Sequence, residues 1–194
     1  GIQSGLLHWN DAINKFEQTS LVAHSDYAFP RGNAHIYPND EYVHFGWPYP
    51  AIRTKANGKS FQDISSYETY TCLVAGTKLY KDAEINRTKI DRIFDNKTKT
   101  FTVNWDWKRN TSALLNIDQA HLIQAGLLKE SEAYFVQLRD LNATNTSASS
   151  AIVLCQGGSI TFSPYKHKYI MICGQIFGKE SFLGEIWYSE ADSF

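Results

Sequence analysis

The sequence lacks a surplus of charge of either sign. It has 19 Lys and Arg residues against 20 Asp and Glu residues, which gives a formal net charge of −1 at pH 7. Attraction to a phosphate backbone or to an anionic bilayer depends on a surplus of positive charge. The chain also has no apolar run of about 18 residues, the length that a membrane-spanning helix needs. Neither nucleic acid nor a membrane is therefore an expected partner.

Cysteine is scarce, and its spacing matches no known framework. The three cysteines are Cys72, Cys155 and Cys173. Because an odd number at wide spacing indicates neither a set of disulfides nor a zinc-ligand pair, we expect buried small hydrophobic residues. The histidines His24, His35 and His44 lack the spacing of zinc ligands. With no glycine-rich phosphate loop and no G-x-S-x-G motif, the sequence predicts neither a metal nor a cofactor.

Aromatic residues, in contrast, make up 14% of the chain and recur in a pattern. Pairs of aromatic residues seven positions apart enclose a polar stretch rich in turn-forming residues. The pairs are Trp9 with Phe16, Phe94 with Phe101, and Phe162 with Tyr169. Large flat residues on both sides of a turn pack across a strand pair. Each pair therefore predicts a β-hairpin.

A longer self-similarity links residues 32–46 with residues 158–173. In both segments a glycine precedes a short alternating strand, a turn contains Pro38 or Pro164, and a tyrosine begins the returning strand. A further strand from Leu183 makes the second copy a three-stranded meander. Antiparallel units of about 40–45 residues are typical of propeller blades. The expected fold is thus an all-β propeller, complete or partial.

One segment departs from the β pattern. From Asn116 the apolar residues follow helical spacing, with Asp118 near the start and Gly126 as the expected end. This predicts a short helical insertion at 117–126, with a second helical turn after Leu127 and then a strand at 134–138. The helix has a purely structural interpretation, as an element that covers a sheet edge.

The C-terminal segment resembles a known family. The motifs GGSITFSPYKHKYIMIC at 157–173 and LGEIWYSEA at 183–191 are similar to one blade of uncharacterised bacterial β-propeller proteins related to five-bladed propeller glycoside hydrolases. The stretches at 29–36, 107–111, 125–133 and 138–141 share the resemblance. It implies a propeller fold and a carbohydrate-active role. The family's blades continue beyond the last strand seen here, so the expectation is a single domain over 1–194 that is truncated at its C-terminus.

Glycoside hydrolysis needs two carboxyl groups on either side of the scissile bond. Three acidic residues are candidates. Asp26 lies in a loop dense in hydrogen-bonding groups, where it is either a base or part of a turn before Pro30. Glu185 stands in an otherwise apolar and aromatic strand, as an acid or as the partner of a basic residue at a sheet edge. Glu68 alternates with tyrosines in its segment.

Five further residues are candidates for positioning the sugar. They are Arg31, Asn33, Trp47, Trp107 and Arg109. An aromatic ring offers an apolar face to a pyranose, and a guanidinium donates a fork of hydrogen bonds. The alternative for Trp107 is a place in the core.

These residues are compatible with two functions. The first is a carbohydrate-active protein of the glycoside hydrolase type that acts at the central cavity. The second is a non-catalytic propeller that binds glycan or protein through an aromatic rim. The compartment is left open, with a periplasmic or secreted location favoured if a signal peptide has been removed.

Overall fold

A computed structural model of the chain describes residues 4–22, 33–46, 50–79, 86–134, 153, 155–175 and 184–192. These residues are mostly β-strand, with few helices, so the predicted all-β class is confirmed. The described residues do not form a closed barrel or propeller. The five-bladed propeller, the single-domain assignment and the truncation therefore stay predictions.

The strands pair in antiparallel fashion throughout the described part. They are β1 Ser4–Asn10, β2 Lys15–Val22, β3 Asn33–Ile36, β4 Tyr42–Gly46, β5 Pro50–Lys55, β6 Glu68–Thr71, β7 Arg92–Asp95, β8 Thr100–Val103, β9 Asp106–Arg109, β10 Cys155–Ser163, β11 Lys168–Gln175 and β12 Ile186–Ala191. One five-stranded sheet has the order β3-β4-β5-β6-β9, and one three-stranded sheet has the order β10-β11-β12. The pairs β1-β2 and β7-β8 are separate two-stranded hairpins.

All three hairpins predicted from the aromatic spacing are confirmed. The two aromatic residues of each pair lie directly opposite one another, with ring centroids 5.0, 5.0 and 5.3 Å apart. Each turn ends on a residue with positive φ, namely Asn14, Lys99 or His167. The shared turn geometry sets the register, and the ring pair across the strands stabilises it.

The longer self-similarity is confirmed as well. Its first copy forms the hairpin β3-β4, and its second copy forms the meander β10-β11-β12. The first strands of the two copies contact one another, since His35 in β3 bonds to the backbone of Ile160 in β10. The rings of Tyr37 and Tyr169 pack beside this bond, 5.4 Å apart. The two sheets therefore meet along β3 and β10.

The predicted helical insertion is confirmed as α2, Asn116–Gln124. Asp118 accepts a hydrogen bond from the backbone N–H of Leu115 at 2.9 Å, and Gly126 takes a φ of +68° just beyond the C-terminus. A 3-10 turn at Glu130–Glu132 is the second helical turn expected after it. The predicted strand at 134–138 lies largely outside the described residues. A shorter helix, α1 Gly58–Gln62, and 3-10 turns at Ile64–Ser66 and Arg87–Lys89 lie in the connections between strands.

Three apolar clusters support these elements. One lies on the back of the five-stranded sheet and consists of Val43, Phe45, Ile52 and Tyr67. The second joins α2 to the chain after β6 and consists of Cys72, Leu73, Ile90, Leu114, Leu122 and Leu128. The third belongs to the three-stranded sheet and consists of Val153, Cys155, Ile160, Met171 and Cys173. Because strand residues alternate between faces, burial of Val43 and Phe45 at the back assigns Tyr42 and His44 to the front.

The three cysteines are buried as expected, but the interpretation of all three as free residues is wrong. Cys155 in β10 and Cys173 in β11 form a disulfide, with their Cα atoms 5.7 Å apart. Cys72 is free, and burial raises the pKa of its thiol to about 12. A buried thiol with so high a pKa is a poor nucleophile.

A thiol count tests this assignment. Without reductant, the chain unfolded in guanidinium is expected to expose one reactive thiol per molecule, and after reduction it should expose three. The folded chain should react slowly, because Cys72 is buried. Three reactive thiols without reductant would show that Cys155 and Cys173 are not joined.

Two glycines of the three-stranded sheet provide a matched test of its packing. A Cβ on Gly158 would collide with the carbonyl oxygen of Ile172 and lie 2.8 Å from the Cα of Cys173, whereas a Cβ on Gly174 meets nothing within 4 Å. We expect Gly158→Ala to lower the free energy of unfolding by roughly 2 kcal/mol or more. The control Gly174→Ala should cost less than about 1 kcal/mol. Equal losses in denaturant titration would contradict this packing.

Candidate functional site

A continuous row of ionisable side chains crosses the front of the five-stranded sheet. The register places these residues opposite one another on successive strands. In order across the sheet, they are His35, His44, Arg53, Glu68 and Arg109. Directly opposed residues on neighbouring antiparallel strands project to the same face. The sheet register therefore assembles these groups, which are 74 positions apart from first to last in the sequence.

Glu68 lies between two arginines of this row. The Nε–H of Arg53 donates to Glu68 Oε2 at 2.9 Å, and Arg109 Nε lies 3.4 Å from Oε1. The Glu68 side chain is 15% exposed, whereas that of Arg109 is 63% exposed. Both carboxylate oxygens are therefore engaged by guanidinium groups. A pair held this way orients both arginines, since a guanidinium pairs with a carboxylate along a defined edge.

Aromatic rings hold Arg53 from both sides. Its guanidinium carbon lies 4.0 Å from the ring centroid of Tyr42 and 4.2 Å from that of Trp107. Such cation–π contacts are stronger when the cation is partly desolvated, and the Arg53 side chain is only 21% exposed. The planar guanidinium is thus fixed in orientation by its flat faces and by its Nε edge.

More aromatic side chains continue this face away from the charged row. The Trp107 ring lies 5.2 Å from that of Tyr70, which lies 4.4 Å from Tyr134 and 5.9 Å from Trp105. The indole N–H of Trp105 donates to the backbone carbonyl of Glu132 at 2.8 Å. The front face therefore combines part-exposed rings with fixed polar groups, the composition typical of ligand sites.

At the other end of the row, the histidines are buried. His44 is 3% exposed, and its Nε2 donates to Asp40 Oδ2 at 2.7 Å. Burial lowers the pKa of His44, against a smaller opposing effect of Asp40. Burial also lowers the pKa of His35, although the hydrogen bond to Ile160 acts in the opposite direction. Both imidazoles are therefore neutral at neutral pH.

A groove borders the row where the two sheets meet. It has a volume of about 520 Å³, and its walls include His35, Ile36, Tyr37, Ile160 and Phe162. Strands β3 and β10 form its two sides, so the repeated hairpins face each other across it. The histidine end of the row therefore borders a solvent-accessible groove.

The structure brings together three of the eight residues predicted for the site. Glu68, Trp107 and Arg109 share the front of the five-stranded sheet, with Trp107 paired to Tyr70 and Arg109 paired to Glu68. Trp107 has two interpretations from the sequence, a core residue or an aromatic surface for a sugar. In the structure its ring is half-buried and contacts Arg53.

The other five predicted residues are not tested. Asp26, Arg31 and Trp47 lie outside the described residues. Asn33 begins β3, where its backbone pairs with Gly46. Glu185 lies beside the three-stranded sheet, where its carbonyl accepts the N–H of Gln175 at 2.8 Å. Glu68 therefore lies in the five-stranded sheet, whereas Glu185 comes directly before β12 of the three-stranded sheet.

Sequence reasoning missed Asp40, Tyr42, His44 and Arg53 as members of the site. Tyr42 and His44 alternate with Val43 and Phe45, and this period of two was a usable signal for a polar face. Arg53 gave no local signal, because its partners lie on other strands.

No family model, curated protein or solved structure matches this chain. Among the described residues, no group of three or more His, Cys, Asp and Glu side chains is arranged to hold a metal ion. None of the described helices has both the length and the apolar character that a membrane crossing requires. The function must therefore be inferred from the geometry of the charged and aromatic face.

The buried histidines predict a loss of stability in mild acid. In the unfolded chain each imidazole binds a proton near its usual pKa of 6.5, whereas the folded chain resists protonation until a lower pH. The free energy of unfolding should therefore be level above about pH 7.5 and fall as the pH drops through 6.5, by at most about 1.4 kcal/mol per pH unit for each histidine. Denaturant titrations between pH 5.5 and 8 measure this slope.

The double variant His35→Gln/His44→Gln should have a flatter stability profile than the unmodified chain. The exposed His121 on α2 supplies the control, since His121→Gln should keep the original slope. NMR titration of the imidazole protons in the folded chain gives an independent check. Midpoints at or above 6.5 for His35 and His44 would contradict the predicted slope.

Proposed function

We propose that this chain binds carbohydrate, without cleaving it, on the front of the five-stranded sheet. The observation that carries the proposal is the fixed guanidinium of Arg53, held between the rings of Tyr42 and Trp107 and by the Glu68 carboxylate. Sugars are recognised by aromatic surfaces that contact their C–H faces and by planar groups that bond pairs of hydroxyls. This face presents both kinds of group, and Arg109 adds a second, exposed guanidinium.

Binding is better supported than hydrolysis. A hydrolase needs one carboxyl group to give up a proton and a second to act as base or nucleophile, roughly 5–10 Å apart. Both oxygens of Glu68 are engaged by guanidinium groups, Oε2 by Arg53 and Oε1 by Arg109. A carboxyl group in these contacts is better suited to hold the two arginines in position than to donate a proton to a ligand. Of the other two candidate carboxylates, Glu185 lies beside the three-stranded sheet, and Asp26 lies outside the described residues.

The resemblance to propeller glycoside hydrolases supports the same ligand class. The two similar hairpins approach each other at their first strands, an arrangement compatible with sheets placed around a common axis. We therefore propose a propeller, or part of one, as the scaffold of the binding face. Related folds often bind ligands without catalysis, because function depends on the site and not on the fold.

A binding screen tests this proposal. The chain is applied to an array of neutral and acidic oligosaccharides, and the affinity for any retained glycan is measured by calorimetry. We expect Trp107→Ala and Tyr42→Ala each to weaken binding roughly tenfold or more, because both remove a wall of the Arg53 site. The two variants are checked for folding by thermal denaturation, so that a general loss of structure is recognised.

The control is Phe94→Ala, which removes an exposed aromatic ring from the separate hairpin β7-β8. Its affinity should equal that of the unmodified chain. Failure to retain any glycan would remove the proposal. Release of new reducing ends from a bound glycan, abolished by Glu68→Gln, would replace binding by hydrolysis.

A further inference from the structure

The Arg53 guanidinium has N–H donors that no described residue accepts. An arginine side chain carries five N–H donors, and Arg53 commits its Nε–H to Glu68. Its guanidinium carbon lies about 4 Å from the ring centroids of Tyr42 and Trp107, and the N–H groups of a guanidinium bond in the plane of the group. Within the described residues, no acceptor is bonded to its two Nη groups. An oriented pair of donors is therefore available at the sheet surface.

Arg109 provides further N–H donors on the same face, on a side chain that is more exposed than that of Arg53. Its side chain is 63% exposed, and its ion pair with Glu68 is made through Nε at 3.4 Å. Glu68 thus holds both arginines by the same edge, and the Nη edges of both groups are left for another acceptor in the described part of the structure. Two guanidiniums that share one carboxylate through their Nε edges can pair with a second anion through their Nη edges.

The charge balance around Glu68 agrees with this geometry. Two positive groups face one negative group, which leaves an excess of one positive charge at this point of the row. Asp63, whose carboxylate also accepts from the hydroxyl of Ser65 at 2.6 Å, interacts with Arg109 and reduces this excess. Asp40, in contrast, bonds to His44 at 2.7 Å. An anionic ligand would neutralise the excess, whereas a neutral ligand would leave it.

We propose that the carbohydrate bound here carries a carboxylate, so that the ligand class is a glycan containing uronic acid. This inference rests on the proposed function of the same face. The planar fork of a guanidinium matches the two oxygens of a carboxylate, and such charge-assisted pairs are stronger than bonds to hydroxyls. The sugar ring lies against the part-exposed rings of Tyr42 and Trp107, and its carboxylate pairs with the Nη edges of Arg53 and Arg109. A sulfate ester presents a similar anion and is separated from a carboxylate by experiment.

The test compares ligands that differ in the presence and in the kind of their anionic groups. Calorimetry measures the affinity of the chain for a galacturonic acid tetrasaccharide, for its fully methyl-esterified form, and for a sulfated neutral tetrasaccharide. We expect the acid to bind roughly 10- to 100-fold more tightly than the ester, the range for hydrogen bonds to charged groups. The sulfated ligand should bind more weakly than the acid, because a sulfate ester is a much weaker base than a carboxylate and its oxygens accept weaker hydrogen bonds.

Arg109→Gln is the informative variant, since the exposed position of Arg109 allows a neutral replacement without disturbing the core. It should remove most of the preference for the acid over the ester, because it lowers the affinity for the acid far more than the affinity for the ester. The matched control is Arg87→Gln, at an exposed arginine in the 3-10 turn Arg87–Lys89. This control should keep the full preference.

The outcomes separate this inference from the proposed function. Equal binding of the acid and the ester, or equal loss of preference in Arg87→Gln, overturns the uronate assignment while carbohydrate binding stands. Tighter binding of the sulfated ligand than of the acid also overturns it and identifies the anion as sulfate. If neutral, acidic and sulfated glycans all fail to bind, both proposals fall together.

Discussion

The ion pair between Arg53 and Glu68 is the interaction on which the front of the five-stranded sheet depends. Strands β5 and β6 are joined by the shortest ladder of that sheet, which aligns only Ile52 with Thr69 and Arg53 with Glu68. One of these two pairs is the ion pair, and its carboxylate also reaches Arg109 across the next ladder. Glu68 therefore links three strands through side chains at the point where backbone pairing is least extensive.

The same carboxylate connects stability with recognition. Partial burial of a charge costs desolvation free energy unless the charge is paired. Glu68 and Arg53 each offset this cost for the other. Glu68 engages the Nε edge of Arg53 and of Arg109, and the rings of Tyr42 and Trp107 lie against the Arg53 guanidinium. What remains is a set of donors with a fixed direction. Pre-organised donors of this kind bind a ligand without a further cost in side-chain entropy.

Local features of this chain were predictable, because their contacts span few residues. Each aromatic hairpin closes over a short turn, so composition and spacing sufficed to identify Trp9 opposite Phe16 and its two counterparts. Helix α2 was predictable for the same reason, from apolar spacing and from the glycine that follows it. The disulfide between Cys155 and Cys173 was not, since it follows from the register of β10 against β11.

The amino-acid order by itself determined the all-β class, the hairpins with their register, the helical insertion and the set of aromatic and charged side chains. Only the tertiary structure decided which of these side chains meet. Arg53, Glu68 and Arg109 become neighbours because β9 pairs with β6 after an excursion through the hairpin β7-β8. The spacing of residues along the chain does not reveal such a pairing. The order of strands in a sheet is set by burial of the whole back face of the sheet against the apolar core.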